Sequence, residues 1–110
     1  MRKLYLSIDV DKIDVVVNNA GLGVFNKIQD ISIDEWDNQL NTNLRGSFLI
    51  TKHVSRSMIK RKAGKLVFIN SVAGINAYPY SSAYVASKFG LRGFTSSLRE
   101  ELREHNIKVI

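Results

Sequence analysis

Two predominantly apolar, β-branched runs constrain this chain more than anything else in it: Ile13-Asp14-Val15-Val16-Val17-Asn18 and Lys65-Leu66-Val67-Phe68-Ile69-Asn70. A strand with one face in water alternates apolar and polar residues, whereas a strand covered on both faces reads as a near-continuous apolar run. Both segments are of the second kind. A third, Ile107-Lys108-Val109-Ile110, opens the same way, and the sequence ends within it. The stretches between carry helical periodicity, and strands alternating with helices imply an α/β fold of parallel βαβ units with right-handed crossovers. Two successive crossovers in one direction place both helices on one face of the sheet. Val15, Val17, Val67 and Ile69, or their alternates, are then expected to face water on the other, as a partner-binding or aggregation liability.

The first helix has a clear start. Ser32 is an N-cap with Glu35 three residues later, and Ile31 and Trp36 bracket it as a hydrophobic staple, which makes Trp36 a packing residue. The helix is expected to run to about Arg61 or Lys62, kinked near Asn43 to Gly46, with Ala63-Gly64 ending it. A loop from Ser71 to about Tyr80 contains the only proline, Pro79. The second helix spans roughly Ser81 to His105, with Leu91, Phe94, Leu98 and Leu102 as its core stripe. Ala86, Gly90, Gly93 and Ser97 form a second stripe of small residues. Glycine costs a helix about 1 kcal/mol, so the stripe predicts close approach by the sheet or by another subunit's helix. At the N-terminus, Leu4 to Ile8 alternates like a strand, but only Asp9 to Lys12 separates it from the next one. A parallel crossover needs about a dozen residues, so residues 1–12 are expected to be irregular or a hairpin remnant.

At 110 residues the chain is one domain at most. Its 45% apolar and 24% charged content is that of a soluble globular protein. No apolar run is long enough to span a bilayer. Asp9 arrives too early for a secretion signal, so a cytoplasmic location is expected. There is no cysteine, hence no disulfide or thiolate metal site, and His53 and His105 lack metal-ligand spacing. The net charge of +6 gathers at Lys52, Arg56, Lys60, Arg61, Lys62 and Lys65, mostly on the outer face and last turn of the first helix, where cations suit the helix dipole. No aromatic residues interleave as a stacking platform would require. A solvated helix face is favoured over a nucleic-acid partner, and no membrane partner is expected.

Tyr84 and Lys88 are four residues apart near the start of the second helix, so both side chains share one face. A phenol does not readily lose its proton at neutral pH, but an ammonium within reach favours the phenolate. Such a tyrosine can act as general acid in carbonyl reduction or as base in alcohol oxidation. Alone the pair is a weak signal, since most such pairs are surface residues of amphipathic helices. Ser71 follows the second strand directly, at the carboxyl edge where parallel sheets place ligands. Asn18-Asn19-Ala20-Gly21 ends the first strand at the same edge, where small residues let a ligand approach the backbone. Asn43 falls mid-helix, where asparagine is unfavourable, and marks a distortion whose freed carbonyl could hold water.

Together these residues resemble the short-chain dehydrogenase/reductase family from about Ile13 to Ile110. The family's Asn-Asn-Ala-Gly, Asn-x-x-Gly, catalytic serine and Tyr-x-x-x-Lys match Asn18 to Gly21, Asn43 to Gly46, Ser71 and Tyr84 to Lys88. The resemblance implies a partial Rossmann-like, doubly wound parallel sheet of about three strands with two long helices on one face, over residues 1–110 as a single incomplete domain. It implies hydride transfer between NAD or NADP and a small carbonyl or alcohol substrate. Tyr84 would be the acid/base, Lys88 would assist it and hold the nicotinamide ribose, Ser71 would orient the reacting oxygen, and Asn43 would position a relay water. Asn18, Ala20 and Gly21 would line the adenosine side of the cofactor. The family's Gly-x-x-x-Gly-x-Gly phosphate loop has no match in these residues, and the C-terminal substrate segment is likewise unmatched. The alternative is therefore a catalytically inactive fragment, or an interaction module pairing as a homo-oligomer through helices 32–62 and 81–105. Tyr78 and Tyr80 flank the loop near the site and either touch substrate or pack.

Overall fold

A computed structural model describes residues 10–19, 23–69 and 78–110. Three strands, β1 (Val15–Asn18), β2 (Gly64–Phe68) and β3 (Ile107–Val109), form one sheet in the order β1-β2-β3. Both pairings are parallel: Val16 sits opposite Leu66, and Leu66 opposite Val109. The expected sheet is thus present. The segment at Leu4 to Ile8 lies outside the described residues, and Val10–Lys12 makes one 3-10 turn before β1.

Alternation along the strands separates two faces. Val16, Asn18, Leu66, Phe68, Ile107 and Val109 point toward the helices, and most are buried. Val15 and Val17 point the other way and are 52% and 58% exposed, with Ile69 also exposed. Both crossovers therefore lie on one side, as the right-handed rule requires, and the opposite face is open among the described residues.

Between β1 and β2 the chain forms α1 (Ile33–Leu40), a π-helical turn (Asn41–Arg45) and α2 (Gly46–Arg61). Where the sequence predicts a distortion, the helix widens into a π-helical turn over Asn41–Arg45. Ser32 caps α1 as expected, its hydroxyl accepting the Glu35 N–H at 3.0 Å. Of the predicted staple, Ile31 is half-buried while Trp36 is 38% exposed. The end of α1 buries the polar Gln39 instead, because that is the face turned to the site. The helix ends at Arg61, within the expected bounds, and the left-handed residue that closes it is Lys62 rather than a glycine. Lys62 adopts the left-handed conformation (φ 57°), and the Ala63 N–H closes onto the Met58 carbonyl at 3.2 Å. Gly64 is needed for space, since a β-carbon there would lie 2.5 Å from Met58 Sδ.

After β2 the chain returns through α3 (Ser82–Leu102), a 3-10 turn and β3. Leu91 and Leu102 are buried, and Phe94 and Leu98 pack beside them, so the predicted stripe faces Val54, Met58, Leu66, Phe68, Ile107 and Val109. Asn106, in the left-handed region, turns the chain into β3 and donates to the Lys62 carbonyl. Arg99 donates to the Val109 carbonyl at 3.1 Å, and Arg61 to the Ile13 carbonyl, so α3 is tied to β3 and α2 to the segment that leads into β1. The small-residue stripe has a different partner from either one expected. Gly90 faces Leu44 of the π turn, 2.9 Å from where its β-carbon would be, while Gly93 has nothing within 4 Å.

Candidate active site

Tyr84 and Lys88 occupy the first two turns of α3. Lys88 is buried, and its Nζ lies 5.9 Å from the centre of the Tyr84 ring. An ammonium is taken out of water only where polar or π partners replace its hydration. Between the two, Ser87 is fully buried. Its hydroxyl accepts a hydrogen bond from Asn43 Nδ2 at 3.0 Å and donates to the Tyr84 carbonyl at 2.7 Å. The π turn thereby aims its central asparagine at the helix that carries the tyrosine. Such turns are rare and occur often at functional sites. Gly90 completes the fit by leaving room for Leu44, one residue beyond Asn43.

The Tyr84 ring is braced from outside α3. Gly23 passes so close that a β-carbon there would stand 3.3 Å from Tyr84 Cδ1. Phe25 packs edge to face on the ring, centroids 6.0 Å apart at 68°. Between them, the Val24 N–H donates to Gln39 Oε1 at 3.0 Å, and Gln39 Nε2 donates to the Glu35 carbonyl. The buried glutamine therefore anchors the 23–31 loop to α1 and, through it, the tyrosine.

Asn18 ends β1 with a buried side chain whose Nδ2 has no hydrogen-bond partner among the described residues. Most buried amides are satisfied, and an orphan costs about 1–3 kcal/mol. An unsatisfied donor at the carboxyl edge of a parallel strand suits a ligand that brings an acceptor, which is where open α/β sheets bind ligands.

The structure thus brings Asn43, Tyr84 and Lys88 together and sets Asn18 at the end of β1. Ser71, Ala20 and Gly21 lie outside the described residues. Among those described, no group of acidic or histidine side chains could hold a metal ion, and no helix is long and apolar enough to cross a membrane. Four site residues escaped the sequence reading: Ser87, Gly23, Phe25 and Gln39. Ser87 was accessible in principle, since a helical serine bonds the carbonyl three or four residues back. The other three depend on where a loop folds, which no spacing announces.

The short chain dehydrogenase family model matches residues 3–110, and the chain belongs to that family. It is 39% identical over 97 residues to a sepiapterin reductase of Chlorobaculum tepidum, covering 88% of this chain and 40% of that protein. Among solved structures it is similar to a 4-hydroxyisoleucine dehydrogenase complexed with NADH, with a TM-score of 0.91, 32% identity, and coverage of 98% of this chain and 49% of that one. It is also similar to a metagenomic short-chain oxidoreductase in complex with NADP, with a TM-score of 0.82, 40% identity, and coverage of 86% and 43%. The chain spans about 40% of the length of the first curated relative.

Proposed function

We propose that this chain supplies the acid/base machinery of an oxidoreductase that interconverts a small-molecule carbonyl and an alcohol with NAD or NADP. The observation that carries this reading is the buried Lys88 beside the Tyr84 ring, keyed to Asn43 through Ser87. Bracing by Phe25 and Gly23 holds the half-buried Tyr84 ring, and positioning is what makes a proton donor effective. In reduction the Tyr84 hydroxyl gives its proton to the substrate oxygen; in oxidation the phenolate takes it back. Lys88 stabilises the charge on the ring oxygen, and Asn43 positions a water behind it. Ser71 is assigned the hydrogen bond that orients the reacting oxygen. Asn18, Ala20 and Gly21 are assigned to the adenosine side of the cofactor and Lys88 to its ribose, an assignment that the unpartnered Asn18 amide supports. The nicotinamide, when bound, supplies the hydride chemistry. Solved relatives that hold NADH and NADP support both cofactors equally.

A second reading is favoured by the exposed surface of the helices. Phe48 and Phe89 are solvent-exposed, and Gly93 meets nothing within 4 Å. Helices 32–62 and 81–105 would then pair with a second copy, residues 1–110 acting as one domain of a cytoplasmic assembly. The test of the first reading is NADH fluorescence and carbonyl reduction by the protein and by Tyr84→Phe. Cofactor binding retained with reduction lowered roughly 10²–10⁴-fold is expected for loss of a general acid; full activity in Tyr84→Phe refutes the assignment.

A further inference from the structure

α1 buries one side chain completely, and it is polar: Gln39. A buried amide costs free energy unless it is hydrogen-bonded. Gln39 is, accepting the Val24 N–H at 3.0 Å and donating to the Glu35 carbonyl at 3.2 Å. Stability alone does not call for this arrangement. Val24 is exposed, and in an exposed loop water can satisfy an N–H. An apolar side chain of similar length would fill the same space and leave no polar atom of its own to satisfy. What the amide adds is position, because Val24 stands between Gly23 and Phe25, the two residues that brace the Tyr84 ring.

The same segment is tied a second time. Beyond Phe25, the Asn26 N–H donates to the Tyr80 carbonyl at 2.8 Å. Tyr80 has a φ of 63°, in the left-handed region that a bulky side chain does not occupy easily. The two other non-glycine residues at positive φ, Lys62 and Asn106, close helical segments, whereas Tyr80 precedes one. Its ring is exposed, so packing does not offset the strain. What the turn does supply is the carbonyl that receives Asn26. Residues 23–26 thus form a strap held to α1 by a buried amide and to the approach to α3 by a strained peptide. Phe25 lies between the two ties and Gly23 beside the first.

We infer that Gln39 is a positioning residue for proton transfer at Tyr84: its hold on the Val24 N–H fixes the strap, and the strap fixes the direction of the phenol. The inference rests on the oxidoreductase reading above and adds to it a residue that acts through another. Gln39 lies four positions before Asn43, and both are fully buried. The two amides divide the work. Asn43 reaches the Tyr84 backbone through the Ser87 hydroxyl, and Gln39 reaches the Tyr84 ring through Val24. With backbone and ring each fixed from the same helical rod, the hydroxyl has one direction in which to offer its proton.

The test uses the protein at its native length, labelled with meta-fluorotyrosine, with the Tyr84 resonance identified among the four tyrosines by Tyr84→Phe. Reduction is followed with NADH and the fastest reduced of benzaldehyde, butanal and cyclohexanone. Gln39→Met keeps the side chain's length and removes both of its hydrogen bonds. In that variant exchange of the Val24 N–H should rise at least about tenfold, and the Tyr84 fluorine resonance should narrow as the ring flips freely. The kcat should fall about tenfold to a hundredfold with KM for NADH unchanged, the pattern of a misplaced donor rather than of a lost binding contact. In Gln39→Glu burial favours the neutral carboxyl, whose carbonyl oxygen accepts from Val24 and whose hydroxyl replaces the amide donor, so exchange, resonance and kcat should return toward the native values. Gly23→Ala perturbs the strap with Gln39 intact: its methyl would stand 3.3 Å from Tyr84 Cδ1, and it should shift the same resonance and lower kcat. A Tyr84 resonance that ignores both Gln39→Met and Gly23→Ala overturns the inference, as does a freed ring with kcat unchanged. A kcat lost in Gln39→Met and not regained in Gln39→Glu also overturns it. A native protein that neither enhances NADH or NADPH fluorescence nor reduces any of the three probes removes the oxidoreductase reading, and the role in proton transfer with it; the exchange and fluorine measurements then decide the strap alone.

Discussion

Ser87→Ala removes one oxygen and tests how the site is held together. In the folded chain that hydroxyl accepts from Asn43 Nδ2 and donates to the Tyr84 carbonyl, and both Ser87 and Asn43 are fully buried. Removing the hydroxyl takes an acceptor from a buried amide, which costs about 1–3 kcal/mol. Alanine is the better helix former by about half a kcal/mol, which offsets part of this. The net expectation is a loss of about 1–2 kcal/mol, a fall in Tm on the order of 5–10 °C for a domain of this size. Urea denaturation of Ser87→Ala, Asn43→Leu and the double variant isolates the pair, with a coupling energy of about 1 kcal/mol expected. The two single variants should also lower carbonyl reduction beyond their effect on folded fraction, because the link orients the turn bearing Tyr84. A neutral or stabilising Ser87→Ala together with additive energies in the cycle refutes the link as a structural element.

Further outcomes follow from backbone geometry. Lys62→Gly should stabilise the chain by about 0.5–1 kcal/mol in urea denaturation, because its φ of 57° penalises a side chain and suits glycine. Gly64→Ala should destabilise it by about 1–3 kcal/mol in the same measurement, since the new methyl collides with Met58 at 2.5 Å. Gly93→Ala should raise Tm by an amount matching about 1 kcal/mol of helix propensity, as nothing stands within 4 Å. A lowered sedimentation mass in that same variant would instead identify Gly93 as a contact between copies.

The sheet was legible because apolar runs at Val15–Val17 and Leu66–Ile69 have few other uses, although only one face of these strands is covered among the described residues. The face of α3 was legible for the same reason, from Leu91, Phe94, Leu98 and Leu102. Trp36 was misjudged because its size and place beside a cap signal packing, yet α1 turns its polar Gln39 inward to hold the 23–31 loop. The distortion at Asn43 was visible as a poor helix former in mid-helix, but its form was not, because a π turn is stabilised by contacts from Ser87 and Gly90, 44 and 46 positions away. Tyr84, Lys88 and Asn43 could be picked out as a set only through a resemblance. Spacing places the first two on one face, and nothing local joins them to the third.

The π turn at Asn41–Arg45 also works as a change of phase. It fits about one residue more into a turn than an α-helix does, so everything downstream is rotated by roughly 100° relative to an uninterrupted helix. The inward face of α1 and the inward face of α2 therefore follow different registers: Gln39 points inward on one side of the turn, Val54 and Met58 on the other. Deleting a single residue between 41 and 45 would restore a regular α-helix only by swinging Val54 and Met58 out of the core or Gln39 out of the site. The irregularity is what lets one continuous rod serve two masters: a polar loop anchor at its start and an apolar core at its end.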